Sequence, residues 1–163
     1  MDCLAVVVMG SKADLEHAEK IAKALGEFGV PCELRIASAH KSTQYLLDML
    51  REYERCGKET IFIAVAGRSN ALGGVIDANT GYPVINCPPY DGEKFAGLDI
   101  LSSLRMPGGV VGATVLEPEA AALMAVKILA LKDPELRVGL ASYQDGLRRR
   151  ILRDDEELKG KRC

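Results

Sequence analysis

Apolar and polar positions along the chain fall into two alternating kinds of segment. Leu4-Ala5-Val6-Val7-Val8-Met9 is an unbroken apolar run, the pattern of a parallel strand buried on both faces. Residues 10–14 turn the chain. Leu15, Ala18, Ala22 and Leu25 then recur at helical spacing, with Ile21 and Phe28 widening the stripe, and Gly29 marks a helix stop. Residues 32–36 read as a second strand and 38–41 as a turn. Ser42 or Thr43 is placed to cap a helix running to about residue 56. Residues 60–65, rich in β-branched side chains, form a third strand. A glycine-rich turn at 66–74 leads into a third, shorter helix. Residues 83–87 read as a fourth strand, 88–97 as a loop, 98–104 as a helical segment and 110–115 as a fifth strand. An alanine-rich helix at 118–131 and a charged final helix from 134 to about 158 complete the pattern.

Repeated strand–helix units of this length predict an α/β fold with a parallel sheet and helices on both faces. No linker or internal repeat interrupts it, so residues 1–163 read as a single domain ending in a C-terminal helix from about 134. The helix at 118–131 is apolar nearly all round, which predicts burial on more than one side and hints at subunit contacts. In such sheets ligands bind beyond the carboxyl ends of the strands. The turns at 10–14, 38–41 and 66–74 lie there.

Composition narrows the classes. With 163 residues and 48% apolar content, the chain can bury a substantial core without staples. Twenty-one basic and 23 acidic residues leave a net charge of −2, which gives no reason to expect a nucleic-acid or membrane partner. No apolar run approaches the roughly 18 residues of a membrane span, and the start lacks the order of a signal peptide. The five cysteines are odd in number and contain no C-x-x-C pair, which argues against a disulfide framework or a cysteine zinc site. A reducing, cytoplasmic setting is expected.

Each of the three turns carries candidate chemistry. In the first, Gly10, Ser11 and Asp14 precede a helix whose free N–H groups and dipole suit a phosphate; Asp14 can accept from sugar hydroxyls. The plain alternative is a capping box made by Ser11 and Asp14. In the second, His40 stands beside Ser38 and Lys41. Imidazole titrates near pH 6.5 and so both takes and gives a proton, while Lys41 supplies a point charge for an anion; a structural histidine is the competing reading. His17, between Glu16 and Glu19, reads as solvated. In the third, Gly67 lets backbone approach a ligand, and Ser69, Asn70 and Ala71 follow it, with N–H groups suited to a carboxylate or developing oxyanion. A tight turn whose glycines serve packing is the alternative. No Walker motif or G-x-S-x-G elbow occurs, and no histidine or carboxylate pair has metal-site spacing. Cys87 reads as a buried structural thiol.

Read together, Met9-Gly10-Ser11 with Asp14, Ser38-Ala39-His40-Lys41, Ala66-Gly67-Arg68-Ser69-Asn70-Ala71-Leu72, Cys87-Pro88-Pro89 and Ser102-Ser103-Leu104-Arg105-Met106-Pro107-Gly108-Gly109 resemble the aminoimidazole ribonucleotide carboxylase and mutase family of purine biosynthesis. The resemblance covers residues 4 to about 131. It implies a flavodoxin-like three-layer α/β/α sandwich, assembled as a homo-octamer whose subunits share each site. It implies a small ribonucleotide and carbon dioxide as substrates, and neither ATP, biotin nor metal. His40 would be the acid/base. Gly10, Ser11, Asp14, Ser38 and Lys41 would hold the ribose phosphate. Gly67, Ser69, Asn70 and Ala71 would surround the carboxylate or carbon dioxide. The family's mutase class typically has Ser-Ala-His-Arg and a second histidine in the third turn. Lys41 and Arg68-Ser69-Asn70-Ala71 depart from that pattern and resemble the class that carboxylates directly. The mutase is the alternative, and a non-catalytic nucleotide-binding module is a more distant one.

Overall fold

A computed structural model describes residues 2–161. Five strands form one parallel sheet in the order β2-β1-β3-β4-β5: β1 (Cys3–Met9), β2 (Cys32–Ile36), β3 (Glu59–Val65), β4 (Val84–Asn86) and β5 (Ala113–Thr114). The two continuous apolar runs, β1 and β3, lie side by side at its centre with Val6 opposite Phe62. Every residue of β1 is buried, as burial on both faces requires.

Alternation along those strands divides the core in two. Ala5, Val7 and Met9 join Ile61, Ile63 and Val65 on one face, under α1 (Leu15–Glu27), and Val6 and Val8 join Phe62 and Ala64 on the other, under α2 (Thr43–Arg55) and α3 (Ala71–Asp77). The result is a three-layer α/β/α sandwich, as expected. Gly29 ends α1 at φ +71°, a left-handed position where a glycine avoids the Cβ penalty.

Two segments depart from the sequence reading. The fifth strand is only two residues long: residues 107–110 close a turn in which the Val110 N–H donates to the Pro107 carbonyl at 3.1 Å, and the Val111 N–H donates to Asp77 Oδ2 at 2.6 Å and not to the sheet. The expected helix at 98–104 is a 3-10 segment, Lys94–Ser103, bent at its start by left-handed Phe95, Ala96 and Gly97. As expected, α4 (Pro118–Leu129) is buried on more than one side, by elements of the chain itself. Ala121, Ala122, Ala125, Val126 and Leu129 are all enclosed, because the small alanines let α4 seat closely against α1, the sheet and α5 (Pro134–Leu158). Ala120 and Met124 remain exposed on the outer face of α4. Among the described residues no helix is long and apolar enough to cross a membrane.

Candidate active site

The carboxyl ends of β1, β2 and β3 open into one cleft of about 1240 Å³. Gly10, Ser11 and Asp14 line it from the first turn, Ser38, His40 and Lys41 from the second, and Gly67 and Ser69 from the third. Parallel pairing brings these segments together: Met9 pairs with both Ile36 and Val65, so the three turns leave the sheet at one level.

The first turn is locally self-supporting. The Ser11 N–H and hydroxyl donate to Asp14 Oδ2 at 3.1 and 3.2 Å, and the Ala13 N–H donates to Ser11 Oγ at 3.3 Å. This is the capping box anticipated as the plain reading, formed by the same two side chains that face the cleft. The second turn is braced by Ser38 and Ser42. The Ser38 N–H donates to Ser42 Oγ at 2.9 Å, and the Lys41 N–H donates to Ser38 Oγ at 3.2 Å. Ser42 occupies the N-cap position of α2, yet its hydroxyl serves this turn and not the helix. His40 and Lys41 are exposed at the rim, where a substrate can reach them.

The third turn is held from the far side. The Arg68 N–H donates to Asp99 Oδ2 at 3.0 Å and the Asn70 N–H to Ser102 Oγ at 2.9 Å. The Ser102 hydroxyl reaches the Asp99 carbonyl at 2.7 Å and the Arg68 carbonyl at 2.9 Å. Arg68 takes φ +57°, an uncommon conformation for a side-chain-bearing residue and one that recurs at functional sites. With the amides of residues 68 and 70 engaged, those of Gly67 and Ser69 have no partner among the described residues. Both residues line the cleft.

Asn70 and Ala71 do not line the cleft. The Asn70 side chain is buried: its Oδ1 accepts from the Gly73 N–H at 3.3 Å, and its Nδ2 donates to Ser103 Oγ at 2.9 Å. It caps α3 from inside. Conversely, Arg68, Asp91, Lys94, Phe95, Leu98, Asp99 and Ser102 line the cleft without having been singled out as site residues. The Ser102 motif and the Pro88-Pro89 pair were the only signals for that wall. His17 corrects the sequence reading: it is half-buried, with Nε2 3.3 Å from Cys87 Sγ. The Cys87 thiol is fully buried, as expected, and burial pushes it up to about 12. Among the described residues, no three His, Cys, Asp or Glu side chains gather as a metal site would require.

Residues 4–150 match the AIR carboxylase family. The chain is 51% identical to phosphoribosylaminoimidazole carboxylase of Archaeoglobus fulgidus, over 95% of this chain and 84% of that one. It is 46% identical to the Treponema denticola protein of the same name, over 96% and 98%. A bifunctional human protein, phosphoribosylaminoimidazole carboxylase/phosphoribosylaminoimidazole succinocarboxamide synthetase, is 52% identical over 80% of this chain and 31% of its own length. The crystal structure of Treponema denticola PurE superposes with a TM-score of 0.93 at 45% identity, covering 96% of this chain and 99% of that one. A family match across nearly the whole core, with relatives near half identity and a shared fold, establishes that the chain belongs to the AIR carboxylase family.

Proposed function

We propose that this chain reversibly carboxylates 5-aminoimidazole ribonucleotide at C4 with free carbon dioxide, as a step of purine (IMP) biosynthesis. The observation that carries the reading is the meeting of His40, the Ser11–Asp14 turn, Lys41 and the unpaired Gly67 and Ser69 N–H groups in one cleft. The phosphate lies at the first turn with Ser11, and Asp14 takes ribose hydroxyls. Lys41 and Ser38 close the anionic end.

The chemistry needs a positioned proton carrier and fixed donors. The exocyclic amine pushes electron density into the imidazole ring, which makes C4 an enamine-like nucleophile. A ring electron pair forms the C4–carbon bond, and one carbon–oxygen π pair of carbon dioxide moves onto oxygen. The intermediate holds hydrogen and carboxylate on the same carbon. His40 removes that proton, and the C–H electron pair restores aromaticity. In reverse, His40 protonates C4 and carbon dioxide leaves. The Gly67 and Ser69 N–H groups meet the charge that develops on the carboxylate, where preformed donors act most strongly.

Direct use of carbon dioxide is supported by Lys41 and by Arg68-Ser69-Asn70-Ala71, which stand where mutases of the family carry an arginine and a second histidine. The test is carboxylation at low temperature, before carbon dioxide and bicarbonate equilibrate. Carbon dioxide should give product at once, and bicarbonate only after a lag that carbonic anhydrase removes. Rapid conversion of the N5-carboxylated ribonucleotide, with no carboxylation of aminoimidazole ribonucleotide from either source, makes the chain a mutase. A homo-octamer, with neighbouring subunits contributing to each cleft, completes the proposal.

A further inference from the structure

We propose that Asn86 is a positioning residue for the reaction, acting from inside the fold through Asn70 on the third turn. The proposal rests on the reading above only in taking the Gly67–Ser69 turn as the place where the reacting carboxylate is held.

Buried polar side chains are sparse in this core: Thr60, Asn70, Asn86 and Ser103. Three of the four meet beneath the third turn. Asn70 Nδ2 lies 3.4 Å from Asn86 Oδ1 and 2.9 Å from Ser103 Oγ. The Thr114 hydroxyl donates to the Ser103 carbonyl at 2.8 Å. One group of side chains thereby ties β4, β5, the 3-10 segment and the start of α3 to the turn that lines the cleft.

Asn86 is the centre of this group, and the surrounding chain is cut to its shape. A Cβ on Gly73 would lie 1.6 Å from Asn86 Oδ1, and one on Gly112 would lie 2.3 Å from its Nδ2. Neither glycine has an alternative explanation in positive φ. Asn86 Nδ2 also has no hydrogen-bond partner among the described residues. A buried donor without a partner carries a net penalty, so an apolar side chain would serve stability better. What Asn86 supplies is an acceptor for the Asn70 amide. That contact orients Asn70 with its oxygen toward the Gly73 N–H and its nitrogen inward. Asn70 held so keeps its own N–H on Ser102, Arg68 in its left-handed conformation, and the Gly67 and Ser69 amides free at the cleft.

The mutual fit of Asn86 and Gly73 separates positioning from stability. Gly73→Ala alone drives a methyl into Asn86, and Asn86→Ala alone opens a void; both should melt well below the unsubstituted protein. Combined, the added methyl takes up the vacated space, and the melting temperature should recover above either single variant. Turnover should not recover. With whichever ribonucleotide the parent converts, aminoimidazole or N5-carboxylated, kcat of the double variant should stay roughly 10–100-fold low and KM within about twofold. That choice of substrate keeps the test independent of the class assignment. A double variant that regains both stability and kcat overturns the proposal and makes Asn86 a space-filler. Asn86→Asp, which keeps an acceptor for Asn70, should retain turnover that Asn86→Ala loses when both are normalised to folded protein. Equal turnover in those two variants also overturns it.

Discussion

His40 and His17 show how differently two histidines of one chain are used. His40 stands exposed at the cleft with no competing partner among the described hydrogen bonds, whereas His17 is half-buried against the Cys87 thiol. Replacing His40 by Asn should preserve the fold and ribonucleotide binding but lower kcat by about 10²–10⁴-fold, the usual worth of a positioned acid/base. Steady-state kinetics on the purified variant checks this, and near-normal turnover removes His40 from the mechanism. His17 should report on stability instead. Burial, with Lys20 adding to it, holds its imidazole below the ordinary value of 6.5. As pH falls through that value the unfolded chain takes up a proton that the folded chain still refuses. The unfolded state then binds more protons, so stability declines as pH drops below about 6.5 until the folded group also titrates. His17→Gln should flatten that decline, seen as urea midpoints that change less between about pH 7 and pH 5. An unaltered pH dependence would assign the decline to other groups. The place of His40 at the cleft was legible because its local motif carries it. His17 was not, since its partner lies 70 positions away and only the fold brings the two together.

At the scale of elements, the Ser11–Asp14 turn serves two ends at once. Its side chains form a capping box and also line the cleft, so each substitution should move two measurements. Ser11→Ala and Asp14→Ala should each weaken ribonucleotide binding by roughly 1.5–3 kcal/mol, as for a lost hydrogen bond to a charged group. Each should also cost about 0.5–2 kcal/mol of stability through the lost cap. Calorimetry that finds lower melting temperatures with unchanged affinity would leave these residues with the capping role alone. The central strands were plain in the sequence because two-sided burial demands continuous apolar runs, and β1 and β3 have them. The wall made by Lys94–Ser103 was not. Its bend needs left-handed Phe95 and Ala96, residue types that give no signal of that conformation, and its bonds to the third turn join residues 31 to 34 positions apart. Asn70 shows the same limit from the other direction. Its place in a glycine-rich turn suggested a ligand contact, but the space beneath α3 draws its side chain inward to Ser103 and Gly73.

For the molecule as a whole, α5 leaves more apolar surface for assembly than α4 does. Most of the apolar surface of α4 is buried within the chain, between α1, the sheet and α5, with Ala120 and Met124 left exposed. The 25-residue α5 is different: only Leu136 and Leu140 are buried along it. Leu140, Tyr143, Leu147 and Ile151 recur three or four residues apart and form one stripe. That stripe begins on the chain's own core, where Tyr143 meets Phe28 edge to face at 5.3 Å. It then runs off the core, leaving Leu147 40% and Ile151 67% exposed, with Leu152 and Leu158 beyond. Helical propensity alone stabilises a solitary helix poorly, and tertiary contact on the apolar face normally supplies the rest. A second copy of the chain is the natural cover, because closed symmetric assemblies bury matching patches on every subunit. Light scattering should therefore give a mass near that of eight 17.6 kDa chains, about 140 kDa, in a closed octamer. Ile151→Glu should lower that mass by placing a charge in the interface, and should lower turnover with it if neighbouring subunits complete each cleft. A particle of 17.6 kDa at micromolar concentration would sink the octamer. An intact octamer in the Ile151→Glu variant would place the interface elsewhere, with the broad face of Phe95, Leu98 and Leu101 as the next surface to substitute.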